Sequence, residues 1–193
     1  MDDKIRLLIK ELGEIRVKLD VDLNDHIQSK LGGPAKAFYI ATSQKELIKS
    51  IDICRELNLK YLLIGTGSKV AIAPSGFEGL VIKNRNDSIR IFGIKGKVSK
   101  FGLGIDEASL EVGSGRSIQS LMKYADDQGL KGLDKLSSLQ GTLGGNFYFN
   151  SNIQSLVQQV SIYTKNGVIK TRMGTEVDKS DIILSVILRL QAK

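Results

Sequence analysis

Apolar residues at three- and four-residue steps open the chain. Ile5, Leu8, Ile9, Leu12, Ile15 and Leu19 form one stripe, which predicts a helix over 2–20. The polar stretch 22–34 ends in Gly32-Gly33-Pro34 and reads as a loop. Residues 35–41 read as a strand. Thr42 or Ser43 then caps a helix over 44–57, with Glu46 where a capping box would use it. Leu47, Ile51 and Cys54 share one face of that helix, which makes Cys54 a core residue rather than a reactive thiol. Short strands follow at 61–64 and 79–82, and the first runs into Gly65-Thr66-Gly67-Ser68. From 83 to 113 the pattern is β, with strands at 88–92 and 109–112 and a gap of Gly and Lys between them. A helix over 117–127 carries Ile118, Leu121, Met122 and Ala125 on one side. A glycine cluster spans 129–146, and strands at 157–164, 167–172 and 182–190 close the chain, with Asn166-Gly167 as a hairpin turn. The expected class is α+β, in three segments: a lead-in helix and loop over 1–30, a small α/β lobe over 31–84, and an α+β lobe over 85–193.

Composition narrows the chemistry. The chain has 193 residues, with 28 Lys+Arg against 21 Asp+Glu, and 41% of its residues are hydrophobic. It carries one histidine, His26, and one cysteine, Cys54. That excludes an intrachain disulfide framework, argues against a zinc site, and leaves Ser-His or Cys-His hydrolysis to His26 alone. Asp126-Asp127 reads as a solvated helix end rather than a magnesium ligand pair. No apolar run approaches the ~20 residues of a membrane span, and the charged N-terminus lacks a signal-peptide block, so the cytoplasm is expected. Residues 83–100 hold six basic residues (Lys83, Arg85, Arg90, Lys95, Lys97, Lys100) against Asp87. Such a stripe attracts phosphate backbones, but only Phe92 interleaves it, and it reads as a solvated hairpin in preference to a nucleic-acid surface.

Twenty glycines against two prolines are the strongest bias. Seven of the glycines lie in three turns that follow strands or lead into helices: 65–68, 113–116 and 141–145. Successive backbone N–H groups in a Gly/Ser turn can face one anion, and three such turns favour a diphosphate ligand. Neither the dinucleotide fingerprint nor the phosphate loop with its Gly-Lys-Ser/Thr is present, so the site belongs to another fold.

IGTGSKVAIAPSGFEGLVI (64–82) resembles the LGxGSNLLVxDxGFxGxVI segment of the UDP-N-acetylenolpyruvoylglucosamine reductase (MurB) family. LGGPAKAF (31–38), with His26 ahead of it, is similar to that family's HTxFxIGGPAxxF. Residues 110–150 are similar to its VxxGAGxxLxxLxxxAxxxGLxGLExLxGIPGTVGGAxxxN. The resemblance implies the two-lobed FAD-binding domain shared with vanillyl-alcohol oxidase, with FAD extended between the lobes. It implies that Gly65, Thr66, Gly67 and Ser68 cradle the pyrophosphate, that Gly141, Thr142, Gly144 and Gly145 approach the diphosphate and flavin edge, and that Gly113, Ser114 and Gly115 pack nearby. Asn150 is a loop brace near the flavin, and Lys69 and Arg116 add positive charge beside two turns. His26 takes a local hydrogen-bonding role, and Tyr148 reads as core.

The departures matter as much. The family's third domain, with its serine acid and its glutamate, has no counterpart in the sequence, so no catalytic residue is assigned. The family's Tyr-Arg motif is missing between Met173 and Ser180. Gln140 replaces a proline, and Lys69 replaces an asparagine. Three functions stay open: a flavoprotein that holds FAD, served by NAD(P)H or a protein redox partner; an NADPH-dependent reductase of peptidoglycan precursor synthesis, completed by missing sequence or a partner chain; and a basic nucleic-acid binder.

Overall fold

The computed structural model describes residues 3–99, 102–174 and 176–192. Lys100 of the basic stripe lies outside them. The chain divides into two units, Met1–Asn86 and Asp87–Lys193.

The first unit is built on a four-stranded sheet of order β1-β2-β4-β3, with β1 Val17–Asp22, β2 Pro34–Ala41, β3 Tyr61–Ile64 and β4 Phe77–Asn84. β1 pairs antiparallel with β2, while β2 and β3 each pair parallel with β4, so that Phe38 faces Val81 and Ile64 faces Lys83. Two helices, α1 Asp3–Leu12 and α2 Gln44–Glu56, complete the unit, and α2 packs on β2 and β4. Alternate residues Ala37, Tyr39 and Ala41 of β2, with Leu80 and Ile82 of β4, are buried on one side of the sheet. On the other side Phe38, Ile64, Val81 and Leu23 form a cluster joined by Val70 and Ile72.

The helix expected over 2–20 ends at Leu12. Gly13 takes φ +97°, its N–H donates to the Ile9 carbonyl at 2.8 Å, and its own carbonyl accepts from Arg16 and Val17. A residue in the left-handed region closes a helix from its C-terminal side, and glycine does so without a Cβ clash. The remaining stripe residues do not follow the helical period: Ile15 is 93% exposed and Leu19 sits on the edge strand β1. The polar 22–34 loop carries two core residues, Leu23 and Ile27, around a single 3-10 turn, Leu23–Asp25. Ser43 is the cap of α2, its hydroxyl accepting from the Glu46 N–H at 3.2 Å. The Glu46 carboxylate bonds the Thr42 N–H and hydroxyl instead of closing the box on Ser43.

The second unit is an antiparallel sheet of order β5-β6-β10-β8-β9, from β5 Ile89–Ser99, β6 Gly102–Gly113, β8 Val157–Tyr163, β9 Ile169–Met173 and β10 Ile182–Ala192, with the two-residue β7 Leu130–Lys131 beside β10. One face carries Ala108, Leu110 and Val112 of β6, Val186, Leu188 and Leu190 of β10, and Val160 and Ile162 of β8. They pack with α3 Ile118–Asp127, α4 Leu143–Phe147 and α5 Ser151–Gln154 through Leu121, Phe147 and Ile153. Within the expected gap between 92 and 109, residues 93–99 and 102–108 are strand. Lys95 and Lys97 are exposed there, so the ladder is held by backbone pairing without the apolar alternation that marks a half-buried strand.

Candidate functional site

The Gly65–Ser68 turn leaves the C-terminal end of β3. Gly67 has φ +77°, and a Cβ added there would stand 2.5 Å from the His26 carbonyl oxygen and 2.6 Å from Ile27 Cα. Its carbonyl accepts from the Gln28 N–H at 3.1 Å. The glycine is therefore required first by the close passage of the 26–28 backbone. Among the described residues, the N–H groups of Thr66, Gly67 and Ser68 donate to no protein acceptor. Three successive backbone donors with no protein acceptor, beside a left-handed residue, are the raw material of an anion site. Lys69, next in the chain, is exposed.

The turns at 113–116 and 141–145 meet within the second unit. Ser117 and Thr142 form an antiparallel bridge, flanked by Ile118 N–H to Gly141 O at 3.0 Å and Leu143 N–H to Arg116 O at 2.8 Å. Gly144 N–H donates to Ser114 O at 2.9 Å, and a Cβ on Gly144 would come within 2.9 Å of Ser114 Cβ. Here the structure corrects the expectation of bare amides. Gly113 N–H is committed to Ser88 O, Ser114 N–H to Leu184 O, and Gly145 N–H to the Thr142 hydroxyl that caps α4. Among the described residues, Gly115, Gly141 and Thr142 keep N–H groups with no protein acceptor. The glycines of these two turns serve first to let the segments touch.

Side chains explain the rest of the predicted set. Asn150 caps α5, its Oδ1 accepting from the Ile153 N–H at 3.1 Å, which is a bracing role. Arg116 donates to the carbonyls of Asp87 (2.9 Å) and Ser120 (3.3 Å) and lies over the Tyr124 ring, so those donors serve the fold rather than a ligand. Its Nε is buried with no hydrogen-bond partner among the described residues. Tyr148 donates its hydroxyl to the carbonyls of Asp181 (2.7 Å) and Asp178 (3.0 Å), pinning the connection that lacks the Tyr-Arg pair. Burial, then the Asp181 and Asp178 carboxylates, push its hydroxyl up to about 12. Sequence reasoning missed Asn146, which is 1% exposed and donates to the carbonyls of Gln140 and Thr142, both at 2.9 Å. Its signal is a polar residue at a buried position one step after Gly144-Gly145.

The unique histidine lies beside the first turn. His26 stacks on Phe38 with centroids 4.3 Å apart, and its Nδ1 is 3.4 Å from Lys83 Nζ. Burial, and then the Lys83 charge, lower its pKa. It also lines a cleft of about 480 Å³ together with Val21, Phe38, Ile40, Lys18 and Arg85. In the basic stripe, Arg90 bonds Glu111 across β5 and β6 at 2.7 Å, and Lys95 stands 3.6 Å from Glu107. These two cations are matched by carboxylates.

A parallel-stranded unit with an anion-suited turn, together with an antiparallel unit carrying two interlocked glycine turns, defines a nucleotide-binding flavoprotein module. The chain belongs to the FAD binding domain family, which matches residues 35–172. Its curated relatives include UDP-N-acetylenolpyruvoylglucosamine reductases. That of Anoxybacillus flavithermus is 28% identical over 188 residues, covering 92% of this chain and 57% of the relative. That of Bacillus subtilis is 25% identical over 212 residues, covering 99% and 64%. The chain thus spans under two thirds of these relatives. Among solved structures, the MurB reductase of Thermus caldophilus superposes with a TM-score of 0.67 at 19% identity, covering 92% of this chain and 62% of that one. A VAO-type flavoprotein of Myceliophthora thermophila gives 0.66 at 12%, covering 100% and 47%. The fold is the expected α+β type of the vanillyl-alcohol oxidase and MurB flavoproteins, and FAD is the cofactor of the family. The donors on the first turn fit its diphosphate: they are backbone groups, consecutive and uncommitted. No described helix is long and apolar enough to cross a membrane.

Proposed function

We propose that this chain holds FAD as the flavin module of a protein related to the enolpyruvoylglucosamine reductases, in the cytoplasm, with NAD(P)H or a protein partner as electron source. The observation that carries this reading is the run of uncommitted N–H groups at Thr66, Gly67 and Ser68. In it, Gly65–Lys69 take the pyrophosphate, Gly115, Gly141 and Thr142 offer the remaining backbone donors, and Gly113, Ser114, Gly144, Gly145 and Asn150 hold those donors in place. The flavin lobes are assigned to 31–84 and 85–193, with 1–30 as the lead-in. When bound, FAD supplies hydride and electron transfer. The chain's own residues bind and orient it; no side chain is assigned to proton delivery, because the Tyr-Arg motif is absent and Tyr148 is tied to main-chain carbonyls.

The test is titration of the purified chain with FAD, followed by flavin absorbance and fluorescence. One FAD per chain is expected. Thr66 is exposed, with no side-chain hydrogen bond, so Thr66→Asp sets a carboxylate at the turn without disturbing the core. A like charge near the diphosphate should weaken FAD binding by about tenfold or more. Unchanged affinity in Thr66→Asp would remove the turn from the site. With NADPH and the enolpyruvyl sugar nucleotide, this chain alone should show no appreciable turnover, and a robust rate would favour the complete reductase instead.

A further inference from the structure

Lys83 and His26 are an odd pair. Both are basic, both are partly buried, and they face each other across 3.4 Å. No carboxylate lies within ion-pair distance of Lys83 among the described residues. An ammonium only donates, so Nδ1 accepts, and the neutral ring carries its proton on Nε2. That N–H and two of the Lys83 donors have no hydrogen-bond acceptor in the described protein. Desolvating a lysine beside a second base is costly unless an anion completes the set.

The position supplies the anion. Lys83 is in register with Ile64, the residue just before the Gly65 turn. The backbone of His26 and Ile27 lies against Gly67. Lys83 and the 26–27 backbone therefore adjoin the turn that carries the uncommitted N–H groups of Thr66, Gly67 and Ser68, at the C-terminal end of the parallel strands, where α/β sheets bind ligands. We propose that Lys83, with His26 as its hydrogen-bonded partner, is a cationic clamp for the diphosphate held on the Gly65–Ser68 turn. This rests on the flavin reading and goes beyond it: recognition here is charge-assisted, where the turn alone offers only dipoles. The other charged groups around the pair are Asp25, which favours the imidazolium, Arg85, which disfavours further charge on Lys83, and Arg16 and Lys18 at the edge of the adjoining cleft.

The full chain is titrated with FAD and, separately, with ADP, in the wild type and in Lys83→Met and Lys83→Arg, with melting temperatures recorded for each. Lys83→Met should weaken both ligands by about tenfold, while Lys83→Arg stays within about threefold of the wild type. Because the chain has a single histidine, its imidazole resonances titrate without overlap. Addition of ADP should raise the His26 pKa, since a nearby anion stabilises the imidazolium. If the wild type binds FAD and ADP but Lys83→Met binds both equally well, or the His26 titration does not move, the clamp is wrong and the flavin reading stands. If the wild type binds ADP in a Lys83-dependent way but not FAD, the clamp stands and the flavin reading fails. Should Lys83→Met not fold, the Lys83→Arg titration and the His26 shift decide the matter alone.

Discussion

Glu46 shows how far one side chain can be worked. Its carboxylate takes a hydrogen bond from Arg16 at 2.7 Å and two more from Thr42, and the Arg16 bond leads in holding its pKa down at about 2. A depressed carboxylate stabilises the fold above its unfolded pKa, and that stability is lost as pH falls toward the folded value. With 43% of the Arg16 side chain exposed, solvent screens the pair, and the contribution is about 1–2 kcal/mol. Glu46→Gln should lose about that much at pH 7 and only a small part of it at about pH 2, measured by denaturant unfolding at both. Cys54 lies at the opposite extreme. It is fully buried, and desolvation pushes its thiol up to about 12. A thiol reagent at neutral pH should label it only on unfolding, and fast labelling of the native chain would contradict that burial.

At the scale of elements, the N-terminal segment is decided by packing. Leu8 is fully buried in α1, whereas Ile15 projects to solvent between α1 and β1. Leu8→Ala should cost about 2–5 kcal/mol, and Ile15→Asn should stay within about 0.5 kcal/mol. A helix over 2–20 would make the two equivalent, so unfolding curves of both variants separate the alternatives. The glycine turns teach a related lesson. Gly67→Ala sets a Cβ against the His26 carbonyl in a left-handed conformation, so loss of flavin there would report a broken turn. Thr66 is the position where ligand and fold can be told apart.

For the molecule as a whole, ligand binding and stability are linked. FAD at about one hundred times its dissociation constant adds about 2.7 kcal/mol to the state that binds it. For a chain of this size that corresponds to a rise in melting temperature of about 5–10 °C. The measurement is a thermal scan with and without FAD, and no shift at saturating flavin would argue against native-state binding. The same flavin should bind whether or not the basic stripe is challenged with nucleic acid, since Arg90 and Lys95 already face Glu111 and Glu107.

Most elements were legible from local pattern. The helix over 44–57 is settled by its 3.6-residue period, the strands at 35–41 and 61–64 and the last three strands by short β-rich runs between turn residues, and the three glycine turns stand out in the sequence itself. The inner ends of β5 and β6 were legible at 88–92 and 109–112, but their outer, exposed residues left no such trace, and neither did the change at Gly13 from helix to strand. Which turn leaves its N–H groups without a protein acceptor also escaped the sequence. A glycine that lets backbones touch and one that lets an anion approach look alike in a string of letters. Only the tertiary structure shows that the 113–116 and 141–145 turns spend donors on their own bridge and on neighbouring carbonyls, while 66–68 does not. It alone brings Lys83, aligned with Ile64, against His26 from a loop fifty-seven residues earlier. Hydrogen bonds are settled between neighbours in space, and for these residues the neighbours are distant in sequence.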